Sequence, residues 1–246
     1  MVKTLQEEIT AMNDLKIWKM VWEVRYPAAS TLIDNRGKIA AKWQWMIDLS
    51  EWRISNNQVT IHNKNNTTFL NAGFKGSSVV MELPENSAAF ISLATDFSSW
   101  LLDILNITKI DRIGLRIIQI AKRPHFKLLT SKIRQSLFGL SDADWQIFGG
   151  APDDIGFPLT LTLGEKMANF NLGPMKTEQL SNYFEAKEVK ERLPATALFM
   201  DFDFYRNEPD IPQIDYHKSF LDFLKTGTNQ VSEISDKFMD RYGAFK

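Results

Sequence analysis

The chain has 246 residues, no cysteine and a formal net charge of −1, from 29 Lys or Arg and 30 Asp or Glu. Without cysteine it cannot form a disulfide framework, a cysteine-ligated zinc site, a thiol nucleophile or an iron–sulfur cluster. The near-zero net charge argues against a protein that holds nucleic acid by bulk electrostatics alone.

The N-terminal segment shows neither the apolar core nor the small-residue cleavage site of a secretory signal. The most apolar stretch, residues 87–105, is interrupted by Asp96 and Asp103. Since a membrane-spanning helix needs about 20 mostly apolar residues, we expect a cytoplasmic protein that does not associate with membranes.

The first half of the chain mixes strands and helices. Residues 17–26 are rich in β-formers and predict a strand that ends at Pro27. A helix is expected over 31–45, then short antiparallel strands at 52–54, 59–61, 68–71 and 78–83. The segment 87–105 predicts a buried helix, because its apolar residues recur at spacings of three and four. These residues are Phe90, Leu93, Phe97, Leu101 and Ile104.

The second half follows the same pattern. Strands are predicted at 110–121 and 195–205, and a hairpin from 157–163 and 168–172. Helices are predicted at 126–138, with Gly139 as C-cap, at 177–185, and from about 215 to the end with a break at Thr226-Gly227-Thr228. The expected fold is therefore α+β: a mostly antiparallel mixed sheet with helices packed on one face and a long C-terminal helical segment.

The segment 149–158 is rich in Gly, Pro and Asp, which is loop composition. It is the best candidate for a boundary between an N-terminal α+β half (1–150) and a C-terminal half of hairpin, strand and helix (151–246). The two halves are either separate or one intimate domain.

Five of the predicted strands carry a polar row opposite an apolar one, because side chains alternate across a strand. The polar rows are Glu23 and Arg25, Arg112 and Arg116, Thr160 and Thr162, Asn169 and Asn171, and Asp201, Asp203 and Tyr205. If these rows share one side of one sheet, they form a continuous surface of mixed charge.

Two interpretations of this surface stay open. Antiparallel sheets commonly bury one face and expose the other, so the rows are typical of a solvated face. Alternatively, they line a groove for a ligand or partner, with Glu23, Arg25, Arg116, Asp201 and Asp203 as its charged network.

No metal site is predicted outright. Asp201 and Asp203, about 7 Å apart at Cα, are a candidate for a divalent cation, but no third carboxylate is found by spacing.

Other motifs that would indicate catalysis are missing from the sequence. The chain has no GxSxG, Walker A or GxGxxG motif, so no catalytic residue and no cofactor are predicted. His62, His125 and His217 show no metal-ligand spacing and are expected to be surface or capping residues.

A basic stretch offers a candidate contact with phosphate groups. It comprises Lys122, Arg123, Lys127, Lys132 and Arg134. A solvated helix face is the alternative, and it is the commoner arrangement in a chain of balanced charge.

The C-terminal segment carries an apolar stripe at helical spacing, formed by Val231, Ile234, Phe238 and Tyr242, with Phe245 beyond. This stripe predicts either core packing or self-association through the C-terminal helices.

Three segments together resemble a known family. The opening strand Trp22-Glu23-Val24-Arg25-Tyr26 resembles a Glu-Val-x-x-x-Phe motif, and residues 110–117 resemble an R-x-G-L-R strand carried by Arg112, Gly114 and Arg116. The third is residues 199–205 followed by a helix with Ile234-x-x-x-Phe238. The chain thus resembles a sporadically distributed, conserved-hypothetical family of bacterial and archaeal proteins. It departs from the family pattern at Ile117, Gln119 and Val231.

The family's patchy distribution implies horizontal exchange, as for accessory or defence genes. The resemblance therefore implies a partner-binding protein in a prokaryotic conflict or phage-defence system. Our first hypothesis is a non-enzymatic interaction or regulatory module with a protein partner. The alternatives are a metal-dependent hydrolase or nuclease centred on Asp201 and Asp203, and a nucleic-acid-binding accessory protein.

Overall fold

A computed structural model of the chain describes residues 15–43 and 49–241. Within them, nine strands form one sheet. The strands are β1 (Lys16–Arg25), β2 (Glu51–Ile54), β3 (Gln58–His62), β4 (Thr68–Gly73), β5 (Gly76–Glu82), β6 (Arg112–Lys122), β7 (Phe157–Leu163), β8 (Lys166–Lys176) and β9 (Thr196–Asn207).

The described residues also form seven α-helices. They are α1 (Leu32–Trp43), α2 (Ser87–Ile104), α3 (Phe126–Ile133), α4 (Asp142–Gln146), α5 (Thr177–Ser181), α6 (Lys187–Glu191) and α7 (Tyr216–Arg241). A π-helical turn, Arg134–Phe138, continues α3, and Gly139 follows it with a φ of 60°. The predicted C-cap at Gly139 is therefore confirmed, because glycine adopts this left-handed conformation without steric cost.

The strand order is β2-β3-β4-β5-β1-β6-β9-β8-β7, and every neighbouring pair is antiparallel. The predicted α+β class is confirmed. Strand β9 pairs with β6, so the strands on both sides of segment 149–158 belong to one continuous sheet.

The main core lies between one face of the sheet and the helices α1, α2, α3 and α7. Trp22 is fully buried at its centre. Its indole N–H donates to the Ser98 hydroxyl of α2 at 2.9 Å, and its ring contacts Phe220 of α7 with centroids 5.4 Å apart. Because Trp22 alternates with Glu23 along β1, burying the tryptophan directs the glutamate to the opposite face.

The long C-terminal helix is continuous, so the predicted break at Thr226-Gly227-Thr228 is wrong. Gly227 instead allows α7 to lie close to the sheet: a Cβ atom at this position would lie 2.9 Å from Leu115 Cδ2. In the sequence, Gly227 resembles a helix breaker, but in the structure it lies within the helix and packs against the sheet. Tertiary burial offsets the low helix propensity of glycine.

The apolar stripe of α7 packs within the chain. Val231 is buried, and Ile234 and Phe238 are partly buried against the main core. The core-packing interpretation is therefore confirmed for these three residues, and self-association through the C-terminal helices stays a prediction. Tyr242 and Phe245 lie outside the described residues, as do the last two residues of the helix predicted over 31–45.

The two short helices α5 and α6 lie on the opposite face of the sheet, at one end. They bury a second apolar cluster in which Phe184 and Val189 cover Ile118, Ile120 and Phe199. The predicted helix at 177–185 is shorter than expected, ending at Ser181, and α6 lies beyond it. The larger helices thus share one face as expected, and this short pair covers part of the other.

None of the helices in the described part of the chain has the length and apolarity that crossing a bilayer requires.

The contact of Gly227 with Leu115 gives a stability test. Gly227→Val adds a branched side chain where the nearest core atom would lie 2.9 Å from Cβ, so we expect a loss of about 1–3 kcal/mol in unfolding free energy from overpacking. Gly37→Ala is the matched control in α1, because no atom lies within 4 Å of a Cβ there. We expect it to stabilise by up to about 1 kcal/mol. Urea unfolding measures both, and a Gly227→Val variant as stable as the parent would contradict this packing.

Candidate functional site

The strand register places all ten residues of the predicted polar surface on one face of the sheet. They are Glu23, Arg25, Arg112, Arg116, Thr160, Thr162, Asn169, Asn171, Asp201 and Asp203. In one row across the strands, Arg116 lies opposite Asp203, Asp203 opposite Asn169, and Asn169 opposite Thr160. We call this surface the polar face.

Arg112 is the centre of the ion-pair network on the polar face. Its Nη1 donates to Glu23 Oε2 at 2.7 Å, and its Nη2 donates to Asp203 Oδ2 at 3.2 Å. Arg25 Nη2 lies 3.0 Å from the same glutamate oxygen. Strands β1, β6 and β9 are thus connected through side chains as well as through the backbone.

Arg112 lies over Gly114 on the polar face. In the register, Gly114 lies between Glu23 on β1 and Tyr205 on β9. A Cβ atom at position 114 would lie 3.5 Å from Arg112 Cζ, so the guanidinium extends over the glycine. It also lies 4.5 Å from the centroid of the Tyr205 ring, a favourable cation–π distance. The Arg-x-Gly spacing therefore places the guanidinium over a residue without a side chain.

Arg116 and Asp201 form a separate, bidentate pair. Arg116 Nε donates to Oδ1 at 2.8 Å and Nη2 donates to Oδ2 at 2.6 Å. The hydrogen bond to Asp201 raises the pKa of Arg116 above its ordinary value, while partial burial acts in the opposite direction. Tyr183 adds a ring 5.8 Å from the guanidinium. Paired Arg–carboxylate forks of this kind have a fixed geometry.

The remaining predicted residues extend the polar face to the last strand. The Thr160 hydroxyl donates to Asn169 Oδ1 at 3.1 Å, and the Thr162 hydroxyl lies 3.6 Å from Met167 Sδ. Asn171 is half-buried beside Asp201 in the register. These contacts are exposed, so the polar face is open to solvent at this side.

Sequence reasoning missed a second part of the polar face, on β3, β4 and β5. Thr60 and Gln58 both donate to Asn71 Oδ1, at 2.9 and 3.1 Å, and Asn71 Nδ2 donates to Ser78 at 3.1 Å. Strands were predicted at 59–61, 68–71 and 78–83, but their polar residues were not assigned to the polar surface. The alternation of polar and apolar residues within 58–62 was the signal that could have found Gln58 and Thr60.

Two shallow grooves cross the open part of the polar face. One, of about 340 Å³, is lined by Glu23, Arg112, Arg116 and Asp203 among others. The other, of about 470 Å³, lies over β4 and β5 and shares Glu23 and Arg25 with the first. The polar face is therefore open to solvent and carries shallow grooves, without forming a closed cavity.

Buried Glu82 attaches the short helices to the end of the polar face. Its carboxylate accepts from Lys19 Nζ at 2.9 Å and from the backbone N–H groups of Glu185 and Ala186 at 2.9 and 3.1 Å. Ala186 is the N-cap of α6, so Glu82 satisfies backbone donors at the start of that helix. Lys19 also donates to the Tyr183 carbonyl at 2.6 Å.

The candidate metal ligands are both engaged by arginines. Asp201 binds Arg116 through both oxygens, and Asp203 accepts from Arg112. No cluster of three or more His, Cys, Asp or Glu suited to a metal ion occurs within residues 15–43 and 49–241. A cation at Asp201 and Asp203 would have to displace two guanidinium groups.

The basic stretch is divided between different environments. Arg123 is only 4% exposed, burial lowers its pKa, and its Nη1 donates to the Lys122 carbonyl. Lys127 and Arg134 line one side of a groove of about 250 Å³ with Asp153, and Lys132 is half-buried. The structure thus brings together two of the five predicted phosphate contacts, beside an acid.

The three histidines differ in exposure. His62 is 4% exposed and packs on Phe69, so the prediction of a surface or capping position is wrong for it. His125 is the N-cap of α3, and His217 lies 3.1 Å from Asp96 on the surface. Both agree with the prediction.

No family model matches the chain, and no curated protein matches it. The resemblance to a sporadically distributed prokaryotic family stays a prediction from the quoted motifs.

A double-mutant cycle tests the bidentate pair. We expect Arg116→Ala and Asp201→Ala to be coupled by about 1 kcal/mol in unfolding free energy, because the pair is bidentate but Arg116 is partly solvated. The control is the exposed pair Lys187–Glu191, whose atoms lie 3.7 Å apart. We expect this pair to couple by less than about 0.5 kcal/mol. Equal coupling of the two pairs would contradict a fixed Arg116–Asp201 geometry.

Substitution of Glu82 tests whether its buried carboxylate stabilises the fold, and we expect a larger effect than for the Arg116–Asp201 pair. Glu82→Ala leaves two backbone N–H groups without their acceptor and the Lys19 ammonium without its carboxylate, with only the Tyr183 carbonyl remaining. We therefore expect a loss of about 3–5 kcal/mol in unfolding free energy. Glu82→Gln retains one acceptor oxygen, so the loss should be smaller. Exposed Glu85 provides the control, since Glu85→Ala should change stability by no more than about 0.5 kcal/mol. Urea unfolding measures all three variants, and a neutral Glu82→Ala would show that this carboxylate is not required.

Proposed function

We propose that this protein is a non-enzymatic interaction module that binds a protein partner through the polar face. The observation that carries the proposal is the fixed position of Arg112 and Arg116 on an open sheet surface, each held by carboxylates and beside a tyrosine ring. Arginine and tyrosine, together with tryptophan, are enriched among the residues that dominate the binding energy of protein interfaces.

Preorganisation supports this use of the polar face. Binding normally costs about 0.5–1.5 kcal/mol for each long side chain that becomes ordered. Here Glu23 and Asp203 already order Arg112, and Asp201 orders Arg116. A partner that contacts these arginines therefore loses less free energy to side-chain ordering than it would on a surface of free lysines.

The charges of the network indicate the chemistry of the partner. Glu23, Asp201 and Asp203 balance Arg25, Arg112 and Arg116. A balanced surface gives little long-range attraction for a polyanion. It favours a partner that presents acids, bases and amides in a complementary arrangement, which supplies specificity more than raw affinity.

The alternatives have less support. A metal-dependent hydrolase or nuclease would need Asp201 and Asp203 released from their arginines, and the nucleic-acid interpretation has only Lys127 and Arg134 close together. A cytoplasmic location stays a prediction from the sequence, and the setting of a conflict or phage-defence system depends on the family resemblance alone.

Affinity capture from the native host tests the proposal. The wild-type chain should recover a specific protein, and Arg116→Ala should weaken binding of that purified protein about tenfold or more in calorimetry. Arg206→Ala is the matched control. It removes an arginine that also pairs with a carboxylate, Glu165 at 2.8 Å, but its position in β9 directs it to the other face. Equal loss in both variants, or no recovered partner, would contradict binding through the polar face.

A further inference from the structure

The two edges of the sheet differ in their protection against further strand pairing. Edge strand β2 has four residues and carries the charged side chains Glu51 and Arg53. Edge strand β7 has seven residues, Phe-Pro-Leu-Thr-Leu-Thr-Leu, and carries no charge. Natural proteins usually protect edges by short length and charge, so β2 is protected and β7 is open apart from Pro158.

Strand β7 also exposes apolar side chains. Leu159, Leu161 and Leu163 are each 36% exposed, on the face of the sheet that carries the large helices. Their partners across β8 in the register are Phe170, Ala168 and Lys166. Among the described residues, no strand lies on the outer side of β7.

Pro158 indicates which backbone groups of β7 point outward. Proline is tolerated in a strand where its missing N–H would face away from the ladder. Every second residue along the strand from Pro158 then directs its N–H and C=O groups outward. Thr160 and Thr162 therefore offer backbone donors and acceptors to an additional strand.

We propose that β7 pairs antiparallel with β7 of a second copy of this chain, about a two-fold axis at Leu161. Residues 159–163 read Leu-Thr-Leu-Thr-Leu, which is the same in both directions. In this register Thr160 lies opposite Thr162 of the partner subunit, and Leu159 opposite the partner's Leu163. Leucine therefore meets leucine on one face and threonine meets threonine on the other.

The symmetric register explains why a second copy fits better than an unrelated strand. Threonine pairs and apolar pairs directly opposite each other both stabilise antiparallel strands, and no like charges meet between residues 159 and 163. The pairing joins two nine-stranded sheets and continues the polar face of one copy into that of the other. Self-association therefore uses the edge of the sheet and leaves the stripe of α7 within its own core.

The β7 edge borders the polar face through Thr160 and Thr162, whereas the proposed partner site is centred on Arg112 and Arg116. The two proposals are therefore tested with different variants. Sedimentation of the full chain over a wide concentration range should show a reversible dimer. Leu161→Lys places two like charges on the two-fold axis. Thr160→Pro removes one outward N–H per chain without affecting the ladder to β8. Each should raise the dissociation constant about tenfold or more, with thermal unfolding as the check on folding.

Two further variants make the test specific to this register. Trp52→Lys, at the 50% exposed tryptophan of the other edge strand, should leave the dimer unchanged. Mixing Leu161→Lys with Leu161→Glu should restore dimers, because opposite charges then meet at the axis. A wild-type chain that stays monomeric, or a dimer that persists in both Leu161→Lys and Thr160→Pro, would overturn the proposal. A β7 edge that binds only a strand of another protein would also overturn it.

Discussion

The register of β6 between β1 and β9 is the constraint on which the rest of the structure depends. In this register Arg112 and Arg116 share a face with Glu23, Asp201 and Asp203. A slip of one residue would move an entire row of side chains to the other face. It would bury the arginines under the large helices and expose Leu115 and Ile117, which are fully buried. Burial of the apolar row therefore determines the position of the charged one.

The two faces of the sheet are stabilised in different ways. On the helix face, buried aromatic and aliphatic side chains such as Trp22 pack against α2 and α7, and removal of apolar surface from water provides the stability. On the polar face, charged groups lie partly out of water and need partners. Arg112 satisfies two carboxylates across three strands, and buried Glu82 satisfies one ammonium and two backbone donors. Desolvation of the charged groups opposes their attraction, so such pairs contribute little net stability.

The polar face and the open edge of the sheet are each proposed here to bind a different partner. The polar face combines ordered arginines with tyrosine rings, which suits recognition of a particular protein surface. The edge at β7 offers backbone groups and a symmetric side-chain pattern, which suits a second copy. Because the sheet is continuous, pairing at the edge would place two polar faces side by side and double the sites offered to a partner.

The alternation of polar and apolar residues determined much of this structure by itself: the strands, their two faces, the α+β class and the ten polar-face residues follow from local periodicity. Features that depend on distant segments were decided by tertiary structure. Local sequence cannot show that β9 lies between β6 and β8, that Gly227 contacts Leu115, that Glu82 caps α6 or that His62 is buried. The same holds for the partners of Asp201 and Asp203, because only strand pairing decides that Arg116 and Arg112 lie against them. Periodicity reports which side of an element faces the core, whereas only long-range packing decides which residues meet.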